Sequence, residues 1–281
     1  MILIGEELTL RVARISDLGY MLTDGKEDVL LHFKQALCEH KINDEVTVFI
    51  YSDKNKRATA SEHTPYCTIT KEGFVEVVDK LPGIGVFVNV NTPKDILISK
   101  DYLPYEESLW PEIGDKLLIR LKVKKDILVG KPINRYDIVA LHKNHIYALF
   151  EQVSGYVCRV TEKGIGIVTN ELMYVFVPNN QFRGEHRMGQ EVLVTITKSL
   201  DGEYYGMLNA KKEEMIDVDR KIILDYLNAH NGVMKLTAKS SAEEVEKLLK
   251  MSRKAFKRAY GGLYKDKLIR FDDVKTYLCN E

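Results

Sequence analysis

The sequence lacks an excess of charge of either sign. Its 41 lysines and arginines balance 41 aspartates and glutamates, so the formal net charge is zero. A strong global field would attract oppositely charged partners from a distance, and a balanced chain has no such field. Any site for a polyanion such as a nucleic acid must therefore be a local patch.

Long hydrophobic runs are also missing. No stretch approaches the roughly 18 consecutive apolar residues that indicate a transmembrane helix, so we expect no membrane partner. The segment that begins Met1-Ile-Leu-Ile has no basic region followed by a long apolar run. We therefore predict no signal peptide and a cytoplasmic location.

Metal-ligand spacing is absent from the cysteines and histidines. The cysteines form no C-x-x-C pair and are scattered along the chain. His142 and His145 flank Lys143 without a neighbouring cluster of carboxylates or thiols, and we expect them to be solvated. We therefore predict that the thiols are reduced and mostly packed, and that they form no metal site. The four cysteines are Cys38, Cys67, Cys158 and Cys279.

Motifs of catalysis are missing as well. The sequence contains no P-loop, no G-x-G-x-x-G before a helix, no G-x-S-x-G and no H-E-x-x-H. Its carboxylates are evenly mixed with lysines. We expect neither an enzyme nor a cofactor.

What the chain does contain is a recurring set of short strand-like runs. The clearest copy lies between residues 155 and 211, where β-branched and aromatic residues alternate with turn residues. Five such runs in about sixty residues suit only a small barrel. The runs are Gly155–Val160, Gly164–Val168, Tyr174–Val177, Met188–Ile196 and Tyr204–Leu208.

The same pattern occurs twice more, and its fourth strand is the clearest marker. Ile42-Asn-Asp-Glu-Val, Ile113-Gly-Asp-Lys-Leu and Met188-Gly-Gln-Glu-Val each place a turn before alternating apolar residues. We predict three tandem barrels in the ranges 1–62, 63–132 and 153–212, with a linker at 133–152. The second barrel carries a loop insertion, under which Trp110 is expected to pack.

The periodicity changes to that of a helix after the third barrel. In the range 213–281, Ile222, Ile223 and Leu227 have helical spacing, and His230-Asn-Gly232 marks a helix end. Two further helices follow, the second capped by Ser252, and then a small strand pair. The order helix, strand, helix, helix, strand pair is that of a winged helix, an α/β domain whose third helix often enters a groove of nucleic acid.

Basic residues cluster on this third predicted helix. Four of them recur at intervals that place them along one side, with Phe256 and Tyr260 on the packed side. The alternatives are a nucleic-acid contact and a solvated face. The candidate contact residues are Arg253, Lys254, Lys257, Arg258 and Lys265.

The barrel repeats resemble the S1 RNA-binding domain, a module with the OB fold. Gly73-Phe-Val and Gly155-Tyr-Val match the start of that motif, and Gly85-Val-Phe-Val matches its second element. His32 matches its histidine, which Ser99 and Pro178 replace in the other copies. The first aromatic position of the motif corresponds to Leu18, Ile84 and Ile165, so the binding face departs from the pattern in every copy.

The resemblance implies that certain positions face RNA. Phe87 would be the stacking platform and His32 a contact, although Phe87 could equally pack in the core and His32 could cover the barrel. Arg14 and Arg159 occupy the same position in two copies, and we expect them on the outer face, opposite Val12 and Val157. They are either RNA contacts or solvated arginines.

The order of three S1-like barrels and a winged helix resembles the bacterial conserved virulence factor B family over essentially the whole chain. The run Lys254–Lys265 carries part of this resemblance. The resemblance implies a protein that binds single-stranded RNA and affects gene expression after transcription. The alternative is a scaffold whose barrels have lost RNA and bind a protein partner.

Overall fold

The computed structural model describes residues 2–53, 55–141, 145–200, 203–208 and 212–279, without the side chains of residues 212–215 and 218. His142 and Lys143 lie outside the described residues, and His145 is exposed. The chain divides into two compact units, Met1–Leu208 and Asn209–Glu281. No helix in the described part of the chain is long and apolar enough to cross a bilayer.

The first barrel closes with the strand order β1-β2-β3-β5-β4. Its neighbouring strands run antiparallel except β3 and β5, which pair in parallel. This pairing closes the sheet on itself, so neither strand is left as an edge. The strands are β1 (Glu7–Ile15), β2 (Gly19–Thr23), β3 (Asp28–His32), β4 (Glu45–Ser52) and β5 (Ala58–Ser61).

The second barrel repeats this strand order but is not fully closed. Its sheet runs β10-β9-β6-β7-β8, so the β8 and β10 edges face each other without a ladder of hydrogen bonds. Trp110 is buried beneath the insertion after β8, and its Nε1 donates to the Pro104 carbonyl oxygen at 2.7 Å. The strands are β6 (Gly73–Leu81), β7 (Gly85–Asn89), β8 (Ile96–Ser99), β9 (Lys116–Lys124) and β10 (Ile127–Pro132).

Between the second and third barrels, the described residues 133–141 and 145–152 include side chains that pack against both. They include a short helix, α1 (Arg135–Ala140), which was not predicted from the sequence, and its Asn134 cap accepts from two amides. Ile138 packs with Tyr156 and Val168 of the third barrel. Tyr147 is buried in the core of that barrel, so this connection contributes to its folding.

The third barrel closes in the same order as the first, β11-β12-β13-β15-β14. Alternate residues of its strands, among them Val157, Ile165 and Val194, fill the interior. The three-barrel prediction is therefore confirmed. The strands are β11 (Gln152–Thr161), β12 (Gly164–Thr169), β13 (Tyr174–Pro178), β14 (Glu191–Leu200) and β15 (Glu203–Leu208).

The second unit has the predicted winged-helix order. Ser241 and Glu244 form a capping box at the start of α3, and the Ser252 hydroxyl accepts from the Ala255 amide at the start of α4. A three-stranded sheet of order β16-β18-β17 completes the unit. The elements are α2 (Lys212–Ala229), β16 (Val233–Met234), α3 (Ala242–Leu249), α4 (Arg253–Lys265), β17 (Ile269–Phe271) and β18 (Thr276–Leu278).

The core of the second unit lies between the helices and this sheet. Phe256 and Tyr260 of α4 are buried, as predicted, and pack with Ile223 and Leu227 of α2. The Tyr260 hydroxyl lies 2.7 Å from Thr276 Oγ1, which in turn donates to the Leu236 carbonyl oxygen. Burying these polar groups requires such partners, and the chain of hydrogen bonds fixes the wing against α4.

Candidate nucleic-acid interface

The pairing of strands defines equivalent positions in the three barrels. In each, the first strand pairs with the second and has a register shift at the same place. Just past this shift, Arg14 lies opposite Met21 in the first barrel and Arg159 lies opposite Gly166 in the third. The two arginines therefore occupy one position, as predicted from the sequence. The second barrel has Asp79 there, opposite Phe87.

The register shift explains why these arginines point outward. Residues two apart in a regular strand lie on the same face, so Val12 and Arg14 would both face the core. A β-bulge inserts one residue and reverses the phase of the strand beyond it. Val12 and Val157 are buried while Arg14 and Arg159 are exposed. The predicted outer position is correct, and its cause is the bulge rather than simple alternation.

In each barrel, the residue at the histidine position of the motif pairs with a glycine of the second strand. Gly19 pairs with His32, Gly85 with Ser99 and Gly164 with Pro178. The replacements predicted from the sequence therefore occupy the equivalent site.

The assignment of Ile165 to the first aromatic position is wrong. The residues that precede the equivalent glycines are Leu18, Ile84 and Lys163. Ile165 follows its glycine, is buried in the barrel core and cannot contact a ligand there. The third barrel thus carries an exposed lysine at this position.

A cleft of about 600 Å³ lies on the outer face of the third barrel, which we call the third-barrel cleft. Four aromatic residues line it: Tyr174, Phe176, Tyr204 and Tyr205. Its charged lining residues are Arg135, Arg159, Lys163, Glu162 and Glu203. The rings of Phe176 and Tyr205 meet edge to face at 6.2 Å. These aromatics were not predicted as site residues from the sequence, although Tyr174-Val-Phe-Val and Tyr204-Tyr were visible strand signals.

Two cationic groups lie close to the faces of these rings. The Arg135 guanidinium lies 5.5 Å from the centre of the Tyr174 ring and pairs with the Glu203 carboxylate, which raises the pKa of Arg135. Lys198 Nζ lies 5.8 Å from the centre of the Tyr205 ring. Burial raises the pKa of Tyr174 to about 12, so its hydroxyl stays neutral and able to donate. Arg159 makes no ion pair with any described residue.

The first-barrel cleft, about 500 Å³ in volume, occupies the equivalent face of its barrel. Leu18, His32, Tyr51 and Arg57 are among its lining residues. The Lys34 amide donates to His32 Nδ1 at 3.1 Å, so a neutral His32 carries its proton on Nε2. His32 can thus act as a hydrogen-bond donor in this cleft, which is poorer in aromatic rings than the third-barrel cleft.

The second-barrel cleft, about 420 Å³, lies where β8 and β10 face each other. Phe87 is half-buried and lines it, while its neighbour Val86 is buried in the core. The alternative that Phe87 fills the core is therefore excluded by the structure. The rim of this cleft includes the lysines Lys56, Lys94, Lys124 and Lys125.

The basic residues of α4 are placed as predicted. Arg253, Lys254, Lys257 and Arg258 are exposed, whereas Ala255, Phe256, Ala259 and Tyr260 between them are buried. Lys265 is exposed at the other end of the helix. We call Arg253, Lys254, Lys257 and Arg258 the α4 basic face. None of the four forms an ion pair with another residue in the described part of the chain.

One group of potential metal ligands forms in the first barrel. The ligand atoms of Cys38, His40 and Glu62 all lie within 4.8 Å of one another. This trio could not be recognised from sequence spacing, because Glu62 is separated from the two loop residues by β4 and β5.

Comparison with known proteins identifies these domains. Residues 4–63 match a model of the S1 domain, and residues 73–131 match a model described as the first S1-like domain of CvfB. Residues 221–278 match a CvfB-like winged helix domain. The matches fall on the first barrel, the second barrel and the second unit.

Relatives align with this chain over most of their length. The Bacillus subtilis protein YitL is 34% identical over 97% of this chain and 93% of its own. Conserved virulence factor B from Staphylococcus epidermidis is 29% identical over 85% and 82%, respectively. A crystal structure from Streptococcus pneumoniae, described as a multidomain protein with nucleic acid binding domains, is 27% identical, covers 98% of each chain and has a TM-score of 0.63. The chain belongs to the conserved virulence factor B family.

Proposed function

We propose that this protein binds single-stranded RNA and regulates gene expression after transcription, in the cytoplasm and without catalysis. The observation that carries the proposal is the third-barrel cleft, where Tyr174, Phe176 and Tyr205 lie beside Arg159 and Lys163. Aromatic rings next to unpaired cations are what a single strand needs, since bases stack on rings and phosphates bind cations. Stacking contributes roughly 1–3 kcal/mol per base.

The open face of the cleft favours a single strand over a duplex. A base must leave its stack to lie against Phe176 or Tyr205, and paired bases in an A-form helix are held inside. The first- and second-barrel clefts offer fewer rings, with His32 in one and Phe87 in the other. We therefore assign the main base contacts to the third barrel and weaker contacts to the other two.

The α4 basic face supplies a second, electrostatic contribution. Arg253 and Lys254 lie in the first turn of α4, which contains no acidic residue. Positive charge at a helix N-terminus opposes the helix dipole, at a cost of about 0.3–1 kcal/mol for each residue. A bound phosphate would offset that cost, because the same helix end attracts anions. This arrangement supports phosphate contacts by the winged helix.

The comparisons support nucleic-acid binding as the general activity. The S1 domain matches residues 4–63, and the solved Streptococcus pneumoniae structure is described by its nucleic acid binding domains. The preference for single-stranded RNA and the regulatory role are our own proposals.

Fluorescence anisotropy with a labelled RNA of mixed sequence tests the binding. We expect the full chain to bind the single strand more tightly than the same strand in a duplex. Tyr205→Ala should weaken binding by about 5–150-fold, the equivalent of roughly 1–3 kcal/mol. Tyr105→Ala is the control, since Tyr105 is fully exposed and outside the three clefts. The absence of binding at low salt would refute the proposal.

Transcript decay tests the regulatory part. In a strain lacking the protein, transcripts that co-purify with it should change their half-lives, and the wild-type gene should restore them. The Tyr205→Ala variant, expressed at the same level, should fail to do so. Unchanged half-lives would leave RNA binding without this regulatory role.

A protein scaffold is the competing function, and one feature of the first barrel favours it. Leu18 is 59% exposed, and Met21 stands where the second barrel has Phe87. This face of the first barrel therefore presents aliphatic side chains where a surface that stacks bases would have aromatic rings. Affinity purification with and without nuclease separates the two functions, because a partner that is retained after nuclease is bound through protein contacts.

A further inference from the structure

Cys38, His40 and Glu62 meet at one end of the first barrel. Cys38 and His40 lie in the loop between β3 and β4, and Glu62 directly follows β5. The parallel pairing of β3 with β5 brings the two chain segments together. The Glu62 amide then donates to the Gln35 carbonyl oxygen at 3.0 Å, which fixes the end of β5 against the loop.

The spacing of the three side chains suits a metal ion. His40 Nε2 lies 2.9 Å from Glu62 Oε1, and Cys38 Sγ lies 3.8 Å from His40 Nε2. In a tetrahedral zinc site with bond lengths of about 2.0–2.3 Å, neighbouring ligand atoms are roughly 3.4–3.6 Å apart. All three ligand atoms lie within 4.8 Å of one another, and Cys38 Sγ is 4.0 Å from His40 Nδ1 as well. A shift of the Cys38 side chain by about an ångström would bring its sulfur to ligand distance from a metal bound to His40 Nε2 and Glu62.

Two of these ligands are already held in place. The His40 and Glu62 side chains are each only 10% exposed. The Tyr20 ring packs against the His40 ring edge to face at 5.2 Å, and its hydroxyl accepts from the His40 amide. The Leu37 amide donates to Glu62 Oε2, the oxygen that does not contact His40. Such supporting interactions orient ligands and strengthen metal binding.

We propose that Cys38 Sγ, His40 Nε2 and Glu62 Oε1 bind one zinc ion, with the fourth position open to solvent. A donor set of thiolate, imidazole and carboxylate suits Zn²⁺, whereas Ca²⁺ and Mg²⁺ prefer oxygen ligands alone. Binding replaces the hydrogen bond between His40 and Glu62, and the Cys38 thiol releases its proton to solvent. Because Cys38 is exposed, the open position faces solvent, where water completes the tetrahedron.

Titration with Co²⁺ tests the ligand set, since tetrahedral cobalt with a thiolate ligand absorbs in the visible and has a sulfur-to-metal charge-transfer band. We expect one equivalent of Co²⁺ per full-length chain, displaced by one equivalent of Zn²⁺. Cys38→Ser should abolish the charge-transfer band. Cys279→Ser, which removes a thiol of the second unit, should leave it unchanged.

Competition for Zn²⁺ against a chromogenic chelator measures the affinity. Cys38→Ser and Glu62→Gln should each weaken it by more than the roughly 10–100-fold that removal of a residue supporting a ligand costs. Cys38→Ser changes an exposed side chain and should fold normally, so it remains informative if Glu62→Gln is unstable. No visible cobalt spectrum, or one that survives Cys38→Ser, would show that these three side chains do not form the site. RNA binding is measured separately and does not depend on this result.

Discussion

Tyr174 occupies the space that a side chain at Gly166 would need. A Cβ atom at residue 166 would overlap the Tyr174 hydroxyl oxygen and lie 2.8 Å from its ring. Gly166 is equivalent to Phe87 of the second barrel. Each of the two pairs with the residue just past the bulge of the first strand, which is Arg159 in the third barrel and Asp79 in the second. In the third barrel, an aromatic ring from β13 thus lies beside the position at which the second barrel has Phe87 on its second strand.

Gly166→Ala should therefore displace Tyr174 from the third-barrel cleft. The new methyl group cannot share the space with the ring, and such overpacking costs typically about 1–3 kcal/mol. We expect a lower free energy of unfolding and weaker RNA binding, measured by urea denaturation and anisotropy. The paired variant Gly166→Ala/Tyr174→Ala should bind RNA no more weakly than Tyr174→Ala alone, because the ring that the methyl group displaces is already absent. If Gly166→Ala alone binds RNA normally, Tyr174 is not a platform.

Arg159 and Asp79 offer a reciprocal charge test, since they occupy equivalent positions. Arg159→Ala should lower the slope of log affinity against log salt concentration by about 0.7, the value for one phosphate contact on a single strand. Asp79→Arg should raise that slope and tighten binding, because the repulsive carboxylate next to Phe87 is replaced by a cation. Arg11→Ala, an exposed arginine before the bulge, is the control. Equal slopes in all variants would assign Arg159 to the solvated surface.

The α4 basic face gives a larger electrostatic effect. Replacing Lys254, Lys257 and Arg258 with alanine should reduce the salt slope by up to about 0.7 for each phosphate that these side chains bind. Folding should hardly change, because exposed charges contribute little and alanine favours helix. The matched control replaces three lysines at other exposed positions of this unit and removes the same charge. If the triple variant has the same RNA affinity and salt slope as this control, the RNA contacts lie in the barrels alone. The control lysines are Lys221, Lys235 and Lys247.

Phe256→Ala separates packing from binding in the same helix. Phe256 is 1% exposed in the core of the second unit, so its truncation should destabilise the unit by roughly 3–5 kcal/mol. Circular dichroism at a helical wavelength measures the unfolding of this unit. Fluorescence of Trp110, the single tryptophan, measures the unfolding of the first unit. Lys257→Ala on the adjacent exposed position should leave both transitions in place. An unshifted helical transition in Phe256→Ala would contradict the packing of α4.

Much of the fold could be predicted from local patterns. Alternating apolar residues after each Gly-Asp-like turn specified the fourth strands, and helical spacing with the caps Ser252 and Gly232 specified the winged helix. These signals depend on neighbours within a few residues, so they can be recognised without the tertiary structure. The same reasoning placed Phe256 and Tyr260 in the core and the α4 basic face outside.

The candidate site depended on contacts between distant residues. Alternation alone would turn Arg14 and Arg159 inward, and only strand pairing reveals the bulge that turns them outward. The ring of Tyr174 lies over Gly166 because β13 pairs with β12 in this register. The pairing of β3 with β5 likewise brings the three candidate zinc ligands together. The sequence by itself determined which residues form strands and helices, since periodicity is local. Tertiary structure decided which side chains share a site, because barrel closure joins strands that the sequence keeps apart.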